Sequence, residues 1–123
     1  MTTQIGNHFK MAVPLRLRGE TRAFYREALG CRPLASERAE LDLYEFAGGF
    51  VLGLLFVPDG DALPPQLYRQ ATWLELKTED PNALRQRILA CGGHEIKADD
   101  DARFCCQAPG GQVFRIAPLA GGA

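Results

Sequence analysis

Two glycine landmarks repeat along this sequence: Gly30 and Gly49 in its first half return at the same offset as Gly92 and Gly111 in its second. Around them a helical stretch, a hairpin turn and a closing strand recur in the same order, to within a residue. Internal duplication explains such a match, and it restricts the chain to folds in which one unit packs twice.

In the first unit, Phe9, Met11, Val13 and Leu15 alternate with His8, Lys10, Ala12 and Pro14, which predicts a strand with one apolar face. From Glu20 to Leu29 the period lengthens. Thr21, Phe24, Tyr25 and Ala28 share a helical stripe, Glu20 sits in the first turn and Gly30 supplies the stop. Strands are predicted at Arg32 to Ser36, Leu41 to Phe46 and Phe50 to Val57, with Gly48-Gly49 as the hairpin turn between the last two. Residues 58–69 carry three prolines and no sustained period, so they read as a connector rather than a core element.

The second unit opens with a strand at Thr72 to Thr78. Asp80 then caps a helix begun by Pro81, with Leu84, Ile88 and Cys91 on its stripe and Gly92-Gly93 at its end. Strands at His94 to Lys97, Arg103 to Ala108 and Gln112 to Pro118 follow, divided by turns at Asp99-Asp100-Asp101 and Pro109-Gly110-Gly111. The tail Ala120 to Ala123 is expected to be loose.

At 123 residues the chain fits one domain, 1–123, which buries about 65–70% of its unfolded surface. Its two units span about 5–57 and 70–119. Hydrophobic residues at 46% and charged residues at 24% match an ordinary packed domain. A net charge of −1 with scattered arginines argues against a nucleic-acid partner. The amino end lacks the features of a secretory signal, and no apolar run approaches the ~20 residues of a membrane span, so the cytoplasm is the expected location. Cys31, Cys91, Cys105 and Cys106 show no CxxC spacing and read as small buried hydrophobes.

The segment FKMAVPLR followed by RAFYREALGC resembles the start of a glyoxalase or bleomycin-resistance type domain of the vicinal oxygen chelate (VOC) superfamily. WLELKTEDPNALRQRILACGG resembles the opening of that superfamily's second module, and APGGQVFRIAP its closing strand, so the resemblance covers nearly the whole chain. It implies an α+β fold of two βαβββ modules that form an open barrel-like sheet, with helices outside and the ligand site inside. On that fold Met11, Val13 and Leu15, Leu74 and Leu76, and Phe114 and Ile116 pack outward. His8, Lys10, Ala12 and Pro14, Trp73, Glu75 and Lys77, and Val113, Arg115 and Ala117 then face the pocket.

Metal-dependent members of the superfamily carry a histidine early in a module's first strand and a carboxylate or histidine in its last. The resemblance maps those positions onto Lys10, Gly53, Trp73 and Arg115. Two cations and two side chains without donors cannot hold a divalent ion, so neither metal nor other cofactor is expected. A displaced site using His8 and Glu75 is the alternative. His94 reads as a surface residue, and the acidic run at Asp99 to Asp101 as a solvated turn.

Lys10, Glu75 and Arg115, with Trp73 and His8, are thus the candidate site residues. They form either a structural ion network in which Glu75 bridges both cations, or a site whose surplus positive charge holds an anionic group while Trp73 stacks on a ring. Trp73 could equally be a core residue, and Phe46, Phe50 and Phe104 could line core or pocket. Glu75 is the one acid/base candidate. The resemblance implies a metal-independent small-molecule-binding protein, typically a homodimer with pockets shared between chains. The alternatives are a glyoxalase-like lyase or isomerase and a purely structural or regulatory module with a filled barrel.

Overall fold

The duplicated pattern folds into duplicated topology. In the computed structural model, which describes residues 1–98, 100 and 102–119, the first module contributes β1 (His8–Pro14), β2 (Arg32–Leu34), β3 (Leu41–Glu45) and β4 (Val51–Val57), in the order β1-β4-β3-β2. The second contributes β5 (Trp73–Thr78), β6 (His94–Ile96), β7 (Cys105–Gln107) and β8 (Val113–Pro118), in the order β5-β8-β7-β6. In each sheet the first strand runs parallel to the last and the other neighbours are antiparallel. A parallel pair needs a crossover, which the module's helix provides. The two sheets stay separate: among the described residues no strand pairing joins them and no barrel closes. Asp99 and Asp101 of the acidic turn and the tail at 120–123 lie outside the described residues.

The first helix departs from the regular stretch that the stripe predicts. A 3-10 turn at Leu15–Leu17 precedes α1 (Arg18–Ala23), which runs into a π-helical turn at Phe24–Ala28. Because β1 ends at Pro14, Leu15 does not pack beneath the helix but lies 48% exposed. Pro14 itself is buried rather than pocket-facing. The buried stripe is otherwise the predicted one: Thr21, Phe24, Tyr25 and Ala28 are all inaccessible to solvent. Gly30 follows at φ +67°, a conformation that few residues other than glycine adopt.

One core serves both modules. Tyr25 stacks on Tyr44 at 5.6 Å between ring centroids and meets Phe114 of the second module edge-on at 6.2 Å. In the second module, α3 (Pro81–Ala90) starts as expected, with the Asp80 carboxylate accepting the Ala83 N–H at 3.1 Å, and buries Leu84 and Ile88. Cys91 caps its end and is half-buried. Cys31, Cys105 and Cys106 are buried, and desolvation pushes Cys31 and Cys106 up to about 12, which makes those two packing groups rather than nucleophiles.

The connector requires a correction. Residues 58–69 hold a 3-10 turn at Asp59–Asp61 and a short helix, α2 (Pro65–Tyr68), and Tyr68 belongs to the core. The Tyr68 hydroxyl donates to the Ala12 carbonyl on β1. The buried amide of Gln107 donates to the Pro65 and Gly111 carbonyls at 2.7 and 2.9 Å and accepts from Arg69 at 2.9 Å. Gln112 donates to the Thr72 and Val113 carbonyls. The Tyr68 bond to Ala12 and the Gln107 bonds to Pro65 and Arg69 make the segment a strap held against both modules. Gly111, at φ +118°, lets Tyr68 pass, since a Cβ there would collide with the ring.

Candidate functional site

Strand register sets which side chains share the sheet faces turned away from the helices. In the first sheet His8 lies level with Val51 and Glu45, Lys10 with Gly53 and Leu43, and Ala12 with Leu55 and Leu41. In the second, Trp73 lies level with Val113 and Gln107, Glu75 with Arg115 and Cys105, and Lys77 with Ala117. Val113 and Ala117, expected to face the pocket, are fully buried. Register also shows that the counterpart of the Lys10–Gly53 row is the Glu75–Arg115 row, with Trp73 two residues away along β5.

Of the expected ion network, one pair forms. Arg115 Nη1 donates to Glu75 Oε2 at 2.7 Å, and both side chains keep partial contact with solvent. Adjacent positions on neighbouring strands bring such groups directly together. Lys10 is not bridged by Glu75: it stands in the other sheet, is exposed, and makes no ion pair among the described residues. His8 and His94 are exposed at their strand starts. Trp73 is half-buried, with its indole N–H donating to the Arg69 carbonyl at 2.9 Å, so the strap orients the ring.

The aromatic candidates of open assignment fall mostly to packing. Phe46 and Phe50 meet across the hairpin at 6.3 Å, Phe104 lies under the Arg85 guanidinium at 4.9 Å, and Phe46 and Phe104 lean on the core.

Lys10 borders a cavity of about 280 Å³ between β1 and the strap, with Phe9, Asp61, Leu63, Tyr68 and Gln112 among its walls. Neither Glu75, Arg115 nor Trp73 lines it, so the expected site residues do not converge on a single cavity within one chain. Asp61, Leu63, Tyr68 and Gln112 were not among the sequence candidates. The signal that could have found them was the apolar Leu63, Leu67 and Tyr68 among the connector's prolines. A second opening, of about 240 Å³, lies where the first helix passes β2 and β3.

Residues 16–117 match the Glyoxalase-like domain family. The chain belongs to this family, within the VOC superfamily. No curated protein matches it. Several solved structures share the glyoxalase-like fold. A glyoxalase-related enzyme from Fulvimarina pelagi is 20% identical, with 98% of this chain and 96% of that one covered at a TM-score of 0.69. A glyoxalase/bleomycin resistance protein/dioxygenase family enzyme from Burkholderia phytofirmans is 16% identical, covering 92% and 97% at 0.64. An antibiotic-binding protein from a Streptomyces species is 19% identical, covering 96% and 98% at 0.62. At such identities the likeness shows the fold.

The metal that many glyoxalase-like proteins carry does not fit the residues of this one. Among the described residues no three His, Cys, Asp or Glu side chains come together as a metal site requires. At the four positions suggested by the resemblance, Lys10 is a cation facing Gly53, Arg115 is a cation bonded to Glu75, and Trp73 offers no ligand atom. The alternative pairing of His8 with Glu75 gains no third donor, and Glu75 is already held by Arg115.

Proposed function

We propose that this glyoxalase-like protein binds a small organic molecule without a metal ion, and that retention of the ligand rather than its conversion is the activity. The observation that carries the reading is the replacement of a metal donor set by Lys10 and by the Glu75–Arg115 pair, with Lys10 on the wall of a 280 Å³ cavity. Phe9, Leu63 and Tyr68 supply apolar surface there and Lys10 a positive charge, which suits an anionic or zwitterionic aromatic compound. The antibiotic-binding protein of the same fold supports ligand retention as a use of this architecture.

Leu41, Leu43 and Leu55 remain half-exposed on the open face of the first sheet. A second copy of the chain would cover them, and in the proposed homodimer Trp73, Glu75, Arg115 and His8 complete a pocket shared between chains. No helix among the described residues is long and apolar enough to cross a membrane, and a cytoplasmic, metal-free dimer is the form proposed. The second reading, a glyoxalase-like lyase or isomerase, rests on family membership and on Glu75 as acid/base. Its bond to Arg115 favours a positioning role for that carboxylate instead.

Trp73 is the only tryptophan, so its fluorescence reports on the site without labelling. Titration with aromatic antibiotics and with aromatic carboxylates is expected to quench it saturably in protein that metal analysis shows to be free of zinc and nickel. Arg115→Glu is expected to weaken the anionic ligands at least tenfold. Stoichiometric zinc or nickel retained by the purified protein, with its loss abolishing ligand binding, would overturn the reading.

A further inference from the structure

The first helix carries a charge pattern that the ligand cavity beside β1 does not use. Arg18, Arg22 and Arg26 recur every four residues on one flank of the buried stripe, while Glu20 and Glu27 fall on the opposite flank. The arginine flank lies over the sheet. Arg18 and Arg22 place their guanidinium carbons 4.8 and 5.7 Å from the centre of the Phe56 ring, and Arg26 lies 5.8 Å from that of Tyr44.

Asp42 is the acid that meets this flank, and it is fully engaged. It accepts from Arg22 Nε at 2.8 Å, from Arg22 Nη2 at 3.0 Å and from the Tyr44 hydroxyl at 2.9 Å. Arg38, across the opening, pairs with Glu40. Arg26, by contrast, makes no ion pair among the described residues and is exposed. Four cations, Arg18, Arg22, Arg26 and Arg38, therefore face two acids, and of the two left without an ion pair among the described residues Arg26 is the one on the wall of the opening. The opening itself arises because β2 stops at Leu34 while β3 starts at Leu41, so residues 35–40 arch over a groove of about 240 Å³. Arg26, Ser36, Arg38 and Tyr44 stand on its walls.

We propose that this groove is a second, separate ligand site, for a small oxyanion such as a phosphate- or carboxylate-bearing metabolite, with Arg26 as the group that recognises it. A guanidinium presents two parallel N–H donors that match a carboxylate or phosphate edge, and stacking on Tyr44 holds it in place before the ligand arrives. Ser36 on the same wall donates its hydroxyl to the Arg38 carbonyl at 3.1 Å, which ties the turn at 36–38 and leaves recognition to Arg26. The fixed Arg22–Asp42–Tyr44 cluster keeps the neighbouring carboxylate neutralised, so it does not repel the incoming anion. Arg26 occupies the middle of the π-helical turn, a helix irregularity found frequently at functional sites.

Titration of isotopically labelled protein with sodium phosphate, and separately with sodium succinate, at constant ionic strength tests the site. Saturable amide shifts are expected at residues 34–44 together with a shift of the Arg26 Nε–H. Arg26→Gln is expected to weaken binding at least tenfold, and Arg26→Lys, which keeps the charge but not the fork, by an intermediate factor. Arg85→Gln, on α3, is expected to leave the binding constant unchanged. Shifts that never saturate, shifts shared equally by other arginines, or unaltered affinity in both Arg26 variants would overturn the proposal. Because the readout is confined to this groove, failure here leaves the Trp73 experiment standing.

Discussion

Asp42 shows how neighbours decide what a single ionisable residue does. Burial raises its pKa, but the Arg22 and Tyr44 hydrogen bonds and the charges of Arg22 and Arg26 outweigh that and hold it below the ordinary carboxylate value. Burial first, and then the hydrogen bond and charge of Asp42, push Tyr44 up to about 12 against the opposing effect of Arg26. With the folded-state pKa of Asp42 below its unfolded one, the ionised group adds stability that is fully present above the unfolded pKa. That stability is lost as pH falls through the depressed folded value. Asp42→Asn is therefore expected to cost about 2 kcal/mol at neutral pH, and the difference from the wild type should shrink in acid. Urea unfolding at pH 7 and near pH 3 checks it; a constant difference would contradict the linkage. Nothing in the spacing of Arg22 and Asp42 announced this pair, because helix and strand meet only when the module folds.

At the scale of elements, the legible parts are those whose cause is local. The Asp80 cap, the Pro81 start, the stripe of Thr21, Phe24, Tyr25 and Ala28, and the left-handed Gly30 each follow from a few adjacent residues. The strap at 58–69 was not legible, because its order comes from Gln107 and Ala12, which are remote in sequence. Long-range bonds leave no periodic trace. Gly111→Ala tests the strap directly: the added methyl displaces Tyr68 and the substitution also strains a positive-φ position, so a loss of about 2 kcal/mol or more is expected. Thermal unfolding measures the loss, and Trp73 emission should shift because the strap carbonyl that holds the indole moves with it. An unchanged melting temperature would show that the strap yields freely.

Over the whole molecule, two units of one pattern behave as a single body because their aromatic residues interlock. Tyr25 and Tyr44 of the first module share a core with Phe114 of the second, and α3 packs near the π-helical turn. One cooperative transition is expected, with far-UV circular dichroism and Trp73 fluorescence coinciding. Phe114→Ala, by opening a cavity between the modules, should cost about 3–5 kcal/mol. Separate transitions for the two probes would show that the modules unfold independently.

The sequence by itself determined that a βαβββ unit occurs twice, where most turns and helix ends fall, and which strand faces are apolar. These features depend on periodicity and on the chemistry of neighbouring residues, which are present in the linear chain. Only the tertiary structure decided that Glu75 binds Arg115 and does not bridge to Lys10, that Lys10 instead borders a cavity walled on one side by the strap, and that Arg26 overlooks a groove of its own. Those outcomes depend on cross-strand register and on how two sheets and a helix are placed in space, and distant side chains acquire such relations only when the core forms.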